Sequence, residues 1–172
     1  VLYNFDARRF YRKWAKDFLD SQTEEGEISV IVPTPGWGIS GKTHWNAVCG
    51  PTPTIDVCWA EIVYRLYWCY EDMDALTENY DGLKKYAAYL KKWTNGDICK
   101  KGLGDWLAPK NEYMPALAFT DSTVTYDMLK KAATLFTALG LTLEADYASG
   151  FAGELRSAIR EHLLNSEAMH FA

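Results

Sequence analysis

The chain has 172 residues, of which 48% are hydrophobic and 24% charged, with a formal net charge of −5 and an isoelectric point near 5.2. Those values describe one globular domain or part of one, exclude a disordered chain, and leave no basic footprint for nucleic acid. No stretch is long and apolar enough to span a membrane, and no signal peptide is visible.

A first helix is expected from about Asp6 to Gln22, with Ala7, Phe10 or Tyr11, Trp14 and Phe18 at helical spacing and Asn4 or Asp6 as its cap. Residues 21–54 show no sustained helical period and are rich in Gly and Pro, with a short extended segment expected over Glu27 to Val32. This long loop carries Trp37, His44 and Trp45. Aromatic anchors in so long a connection favour a functional loop over a disordered one.

A second helix is expected from about Asp56 to Tyr70, apolar nearly all round and so buried on most faces. Glu61 within it either pairs with Arg65 at i+4 or faces a cleft. A helical turn over Asp72 to Asn79 leads to a third helix, about Asp81 to Thr94. Its stripe of Leu83, Tyr86, Ala87, Leu90 and Trp93 makes it amphipathic and therefore an outer helix, and Asn95-Gly96 ends it. A fourth helix spans about Asp121 to Leu139. After the Gly140-Leu141 turn a fifth runs from about Leu143 to Leu164, capped by Thr142.

Amphipathic and mostly apolar helices alternate, and long connections alternate with short ones. The expected fold is all-α: an α/α toroid of alternating inner and outer helices with long loops on one face. A helical repeat array lacks the repeated signature it would need. Both chain ends fall close to helical patterns and read as cut.

Cys49, Cys58, Cys69 and Cys99 match no zinc spacing, and His44, His162 and His170 are scattered, so neither metal nor cofactor is expected. Cys58 and Cys69 on one helix would stand roughly 16 Å apart, too far for a disulfide. Reduced thiols leave the compartment open.

The aromatic share is 15%, including 7 Trp and 11 Tyr, more than a helical core of this size needs and common in proteins that bind carbohydrate. Gly104-Asp105-Trp106-Leu107 concentrates that chemistry. It follows Gly102-Leu103 and precedes Pro109, so it belongs to a loop. An indole there offers a flat apolar face to a pyranose and the neighbouring carboxylate accepts a hydroxyl hydrogen bond. A capping Asp beside a half-buried Trp is the structural alternative.

Several segments, in order, resemble glycoside hydrolase family 78, the bacterial α-L-rhamnosidases. Phe10-Tyr11-Arg12-Lys13-Trp14 and Glu25 to Pro33 are similar to the family's first helix and the stretch after it. Ala60 to Tyr67 resembles an inner helix, Leu76-Thr77-Glu78-Asn79-Tyr80 and Leu83 to Leu90 an outer one, and Gly104-Asp105-Trp106-Leu107 the family's "GDWL". The resemblance implies an (α/α)6 catalytic barrel, so that 1–172 would be a partial (α/α)6 toroid, a fragment of a single barrel catalytic domain, and it implies inverting removal of α-L-rhamnose. It implies a general acid lying before, and a general base after, the segments seen here, so no residue of this chain is assigned either role. It assigns Asp105 and Trp106 to the lining of the sugar site. One departure stands before the second helix, where the family's Trp-x-Asp-Ala becomes Ile55-Asp56-Val57-Cys58. Asp56 keeps an acid one position away, and Trp59, Trp37 or Trp45 could replace the missing indole.

Inverting hydrolysis needs two carboxyl groups about 6.5–9.5 Å apart with water between them. Asp56, Glu61, Asp97 and Asp105 are the acids near loop ends or in the apolar helix. The expected partner is a rhamnosylated glycan or glycoside. A non-hydrolytic carbohydrate-binding or scaffold domain, and a toroid glycosidase for another sugar, are the competing readings. An inner helix without its neighbours would expose apolar surface, so self-association of this piece is expected.

Overall fold

The computed structural model describes residues 4–34, 39, 51–105, 115–167 and 170–171. The elements are α1 (Arg8–Ser21), α2 (Pro53–Asp56), α3 (Cys58–Tyr70), α4 (Met73–Thr94), α5 (Leu117–Ala138) and α6 (Thr142–Leu163), followed by a small antiparallel pair, β1 (Leu164–Asn165) with β2 (His170–Phe171). The expected all-α partial toroid is what forms. α1, α4 and α6 are the outer helices, and α3 and α5 pack side by side as the inner pair.

The core runs continuously through all five long helices. Trp59, Leu66, Leu76, Leu83, Tyr86, Leu90, Leu129, Leu135, Phe136, Phe151 and Leu155 are among its large buried members. Trp59 organises the α1–α3–α4 side. Its ring stacks on Phe18 at 5.7 Å between centroids and its Nε1–H donates to Asn79 Oδ1 at 2.9 Å. Gly82 makes room for that indole, since a Cβ there would lie 2.4 Å from Trp59.

Four differences from the sequence reading have identifiable causes. The break expected near Asn79-Tyr80 does not occur, and α4 is one helix from Met73. Asn79 satisfies its amide internally, donating to Ala75 O at 2.7 Å while accepting from Trp59, and so does not stop the helix. The second expected helix is split, with the short α2 opened by Pro53 at its first position and separated from α3 by a turn at Val57. α5 begins at Leu117 rather than Asp121, with Ala116 as its N-cap. Asp121 has a cap's identity but not its job, because its side chain is used elsewhere. Neither Asn4, Asp6 nor Thr142 is an N-cap: those positions fall to Ala7 and Leu141.

The apolar helix α3 is not covered on every side within this chain. Tyr64 and Trp68 stack on each other at 6.1 Å, and Trp68 is 63% exposed. Phe5, Phe10 and Met73 are also exposed. Trp93, expected in the buried stripe of α4, is 38% exposed, with Lys101 Nζ 4.5 Å from its ring centroid.

Candidate functional site: the loop face

The inner helices α3 and α5 both begin at one end of the bundle, and α4 ends there, so the connections around residues 51–57, 95–105 and 115–116 gather on one face. Gly104 takes a left-handed backbone (φ +62°), which turns the chain into Asp105. Gly104 is buried and Asp105 half-buried. Trp106, Trp37 and Trp45 lie outside the described residues.

The other candidate acids have partners that define them. Glu61 Oε1 accepts from Arg65 Nε at 2.6 Å and Oε2 stands 2.5 Å from Lys131 Nζ on α5. Burial raises its pKa, but the two cations outweigh this and hold it below the ordinary carboxylate range. Of the two readings of Glu61, the ion pair is the one that forms. Asp97 closes the turn after α4, accepting from Ile98 N at 2.7 Å and Lys100 Nζ at 2.5 Å, with His162 at 3.2 Å. The Lys100 bond is the main reason its pKa lies low.

Asp56 is 1% exposed. Its Oδ2 accepts from Thr52 N at 2.9 Å and from Tyr86 Oη at 2.8 Å, and its Oδ1 accepts from Thr52 Oγ1 at 2.7 Å. Burial pushes its pKa up to about 7, the three donors pull against that, and Asp121 adds a small upward push. The carboxyl therefore lies beneath the loop face, holding Thr52. The same burial, with Asp56 nearby, raises the Cys58 thiol to about 12, so that sulfur stays a neutral thiol. Cys58, Cys69 and Cys99 are all free.

Asp121 is the residue that sequence reasoning missed. It is fully buried in the second turn of α5, and its oxygens reach two loops: Gly104 N–H at 2.9 Å and Thr54 N–H at 3.3 Å. Its only sequence signal is an acid near a helix start, which reads as a cap. Burial is also the main cause of its raised pKa. Among the described residues, neither Asp56 nor Asp121 is in an ion pair. Beside this face, between the C-terminal ends of α1 and α4, lies a groove of about 850 Å³ lined by Gln22, Thr23, Glu27, Thr34, Tyr89 and Trp93 among others.

A family model matches residues 1–171, that of the bacterial alpha-L-rhamnosidase six-hairpin glycosidase domain. The chain belongs to this family. It is 27% identical over 112 residues to an alpha-L-rhamnosidase of Formosa agariphila and 29% identical over 111 residues to one of Streptomyces avermitilis. Each match covers 64% of this chain but only 11% and 10% of the relatives, so the chain spans about a tenth of their length. In three dimensions it is similar to the alpha-L-rhamnosidase from "Dictyoglumus thermophilum", with a TM-score of 0.82 and 29% identity over 96% of this chain and 18% of that one. The Streptomyces avermitilis enzyme, solved with L-rhamnose, shares the fold at a TM-score of 0.71 and 24% identity, over 94% of this chain and 14% of its own. The helical fold of this chain is thus similar to a part of these rhamnosidase structures.

Proposed function

We propose that this chain is part of an inverting glycoside hydrolase that removes terminal α-L-rhamnose, and that it supplies lining of the sugar site without the acid/base pair. The observation that carries the reading is the placement of Gly104-Asp105 at the starts of both inner helices of a rhamnosidase-family barrel. Asp105 is half-buried on this face and follows directly from the left-handed turn at Gly104. In this reading Asp105 accepts a hydroxyl hydrogen bond and the Trp106 indole forms an apolar wall against the sugar ring. Trp37 and Trp45 are the further aromatic candidates, and Asp56 contributes only by bracing Thr52.

The bond-breaking step falls to carboxyl groups elsewhere in the full-length protein. An inverting enzyme holds its two carboxyl groups about 6.5–9.5 Å apart so that a water fits between base and anomeric carbon. Glu61 and Asp97 are tied to cations, and Asp56 is enclosed by Thr52 and Tyr86, so this reading gives none of them the role of acid or base. The test is turnover of an aryl α-L-rhamnoside by the full-length protein, with the anomer first released followed by NMR. Initial release of β-L-rhamnose supports inversion. Initial release of the α-anomer, or no turnover of any α-L-rhamnoside, overturns the respective part of the reading.

Binding without hydrolysis is the second reading. It draws on Ile55-Asp56-Val57, where the family's indole is replaced and the acid is buried. Sugar-dependent tryptophan fluorescence without turnover in the full-length protein would favour it.

A further inference from the structure

A buried carboxylate with no cation is costly unless its oxygens are fully used by donors. Asp121 meets that condition in an unusual way: its two donors come from different segments of chain. Oδ2 takes the N–H of Gly104 and Oδ1 that of Thr54, positions 17 and 67 residues away in sequence. The Thr52–Thr54 segment is gripped at its other end by Asp56, through Thr52 N–H and Oγ1. The glycine turn wraps the carboxylate so closely that a Cβ on Gly102 would lie 2.4 Å from the Asp121 carboxyl carbon. None of this serves the helix, whose N-cap is Ala116. An asparagine could not do the same work, since it offers one acceptor oxygen and would turn an NH2 group toward the second N–H.

The geometry points to Asp121 as a positioning residue for the sugar site, a buried clip on α5 that fixes the Gly104-Asp105 turn against the segment leading into α3. The inference rests on the reading of Asp105 as sugar-site lining. Asp121 acts through Asp105, one peptide beyond the amide it holds, and itself touches no ligand. Losing the clip frees the Asp105 turn while leaving the helices in place.

The experiment uses the full-length protein and two measurements. Amide hydrogen exchange in Asp121→Asn should accelerate at Gly104 and Thr54 by at least about tenfold, the loss of one net hydrogen bond, with core amides of α5 and α6 unchanged. With p-nitrophenyl α-L-rhamnoside, Asp121→Asn should raise KM by about tenfold, and in an Asp105→Ala background it should add less than about twofold, because both changes remove one coupled element. Gly102→Ala, which presses on the carboxylate from the loop side, should show the same non-additivity and serves if Asp121→Asn does not fold. Unchanged exchange at the two amides overturns the clip. Accelerated exchange with effects that multiply in the double variant overturns its action through Asp105. Absence of rhamnoside turnover in the unsubstituted protein overturns the functional reading instead, and exchange alone then decides whether the clip exists.

Discussion

The two ends of helix α3 handle buried aspartate in opposite ways. At the C-terminal end, Asp72 caps α4 by accepting from Ala75 N at 3.0 Å, and it is ion-paired to Arg8 at 2.7 Å and Arg12 at 3.7 Å. Burial raises its pKa, but the Arg8 hydrogen bond and the remaining donors and cations outweigh it and the carboxylate is held low. At the N-terminal end, Asp56 and Asp121 are equally buried, have no cation among the described residues, and are both held high. The first arrangement joins α1 to α4 and is complete in itself. The second keeps acid held only by hydrogen-bond donors under a loop face, an arrangement that folding alone does not require and that clusters at functional sites.

Breaking the loop end at its proposed sugar contact should give the largest effect. Trp106→Ala in the full-length protein should lower kcat/KM for an aryl α-L-rhamnoside by about a hundredfold, roughly 2.7 kcal/mol of transition-state binding. A loss of less than about threefold, roughly 0.65 kcal/mol and below the net value of about 1 kcal/mol of one ordinary hydrogen bond, would remove Trp106 from the site.

The pH response separates the two ends next. Asp56 has a folded pKa near 7, above its ordinary 3.8. Between those values the folded state holds the proton more tightly than the unfolded one, so this group's contribution to stability falls as pH rises from about 4 to about 7, then levels off. Asp72 has the opposite sign: its contribution is present above the ordinary carboxylate pKa and is lost as pH falls through the lowered one. Asp56→Asn should therefore flatten the decline in melting temperature between pH 5 and pH 8. An unchanged slope in the variant would show that Asp56 is not its source.

Asp72→Ala should cost about 1 kcal/mol from the lost cap alone. It should lower the melting temperature without moving KM, because the Asp72 end is remote from the loop face. A KM shift comparable to that of Asp121→Asn would erase the contrast between the ends. Glu61→Gln should have the smallest effect, below about 1 kcal/mol, since its partly exposed pairs with Arg65 and Lys131 are screened by solvent. Separately, the exposed Tyr64–Trp68 face of α3 should drive concentration-dependent association of this chain when isolated. Sedimentation as a monomer at all concentrations would contradict that.

Much of this molecule was legible from residue patterns. The alternating helix types give the toroid, and Phe18, Leu83, Leu90, Phe151 and Leu155 fall in the core where their spacing puts them. Gly104-Asp105 falls on the loop face that the alternation of long connections predicts. What the sequence alone could not decide is what each acid does. Asp56, Glu61, Asp97, Asp105 and Asp121 are chemically near-identical, and their roles come from partners up to 70 residues away: Lys131 for Glu61, Tyr86 for Asp56, Gly104 for Asp121. Local periodicity records which side of a helix is apolar, because burial repeats with the helical turn. It carries no record of which distant N–H or cation meets a carboxylate, and only the tertiary structure decides whether an aspartate is a cap, an ion pair or the clip beneath a loop.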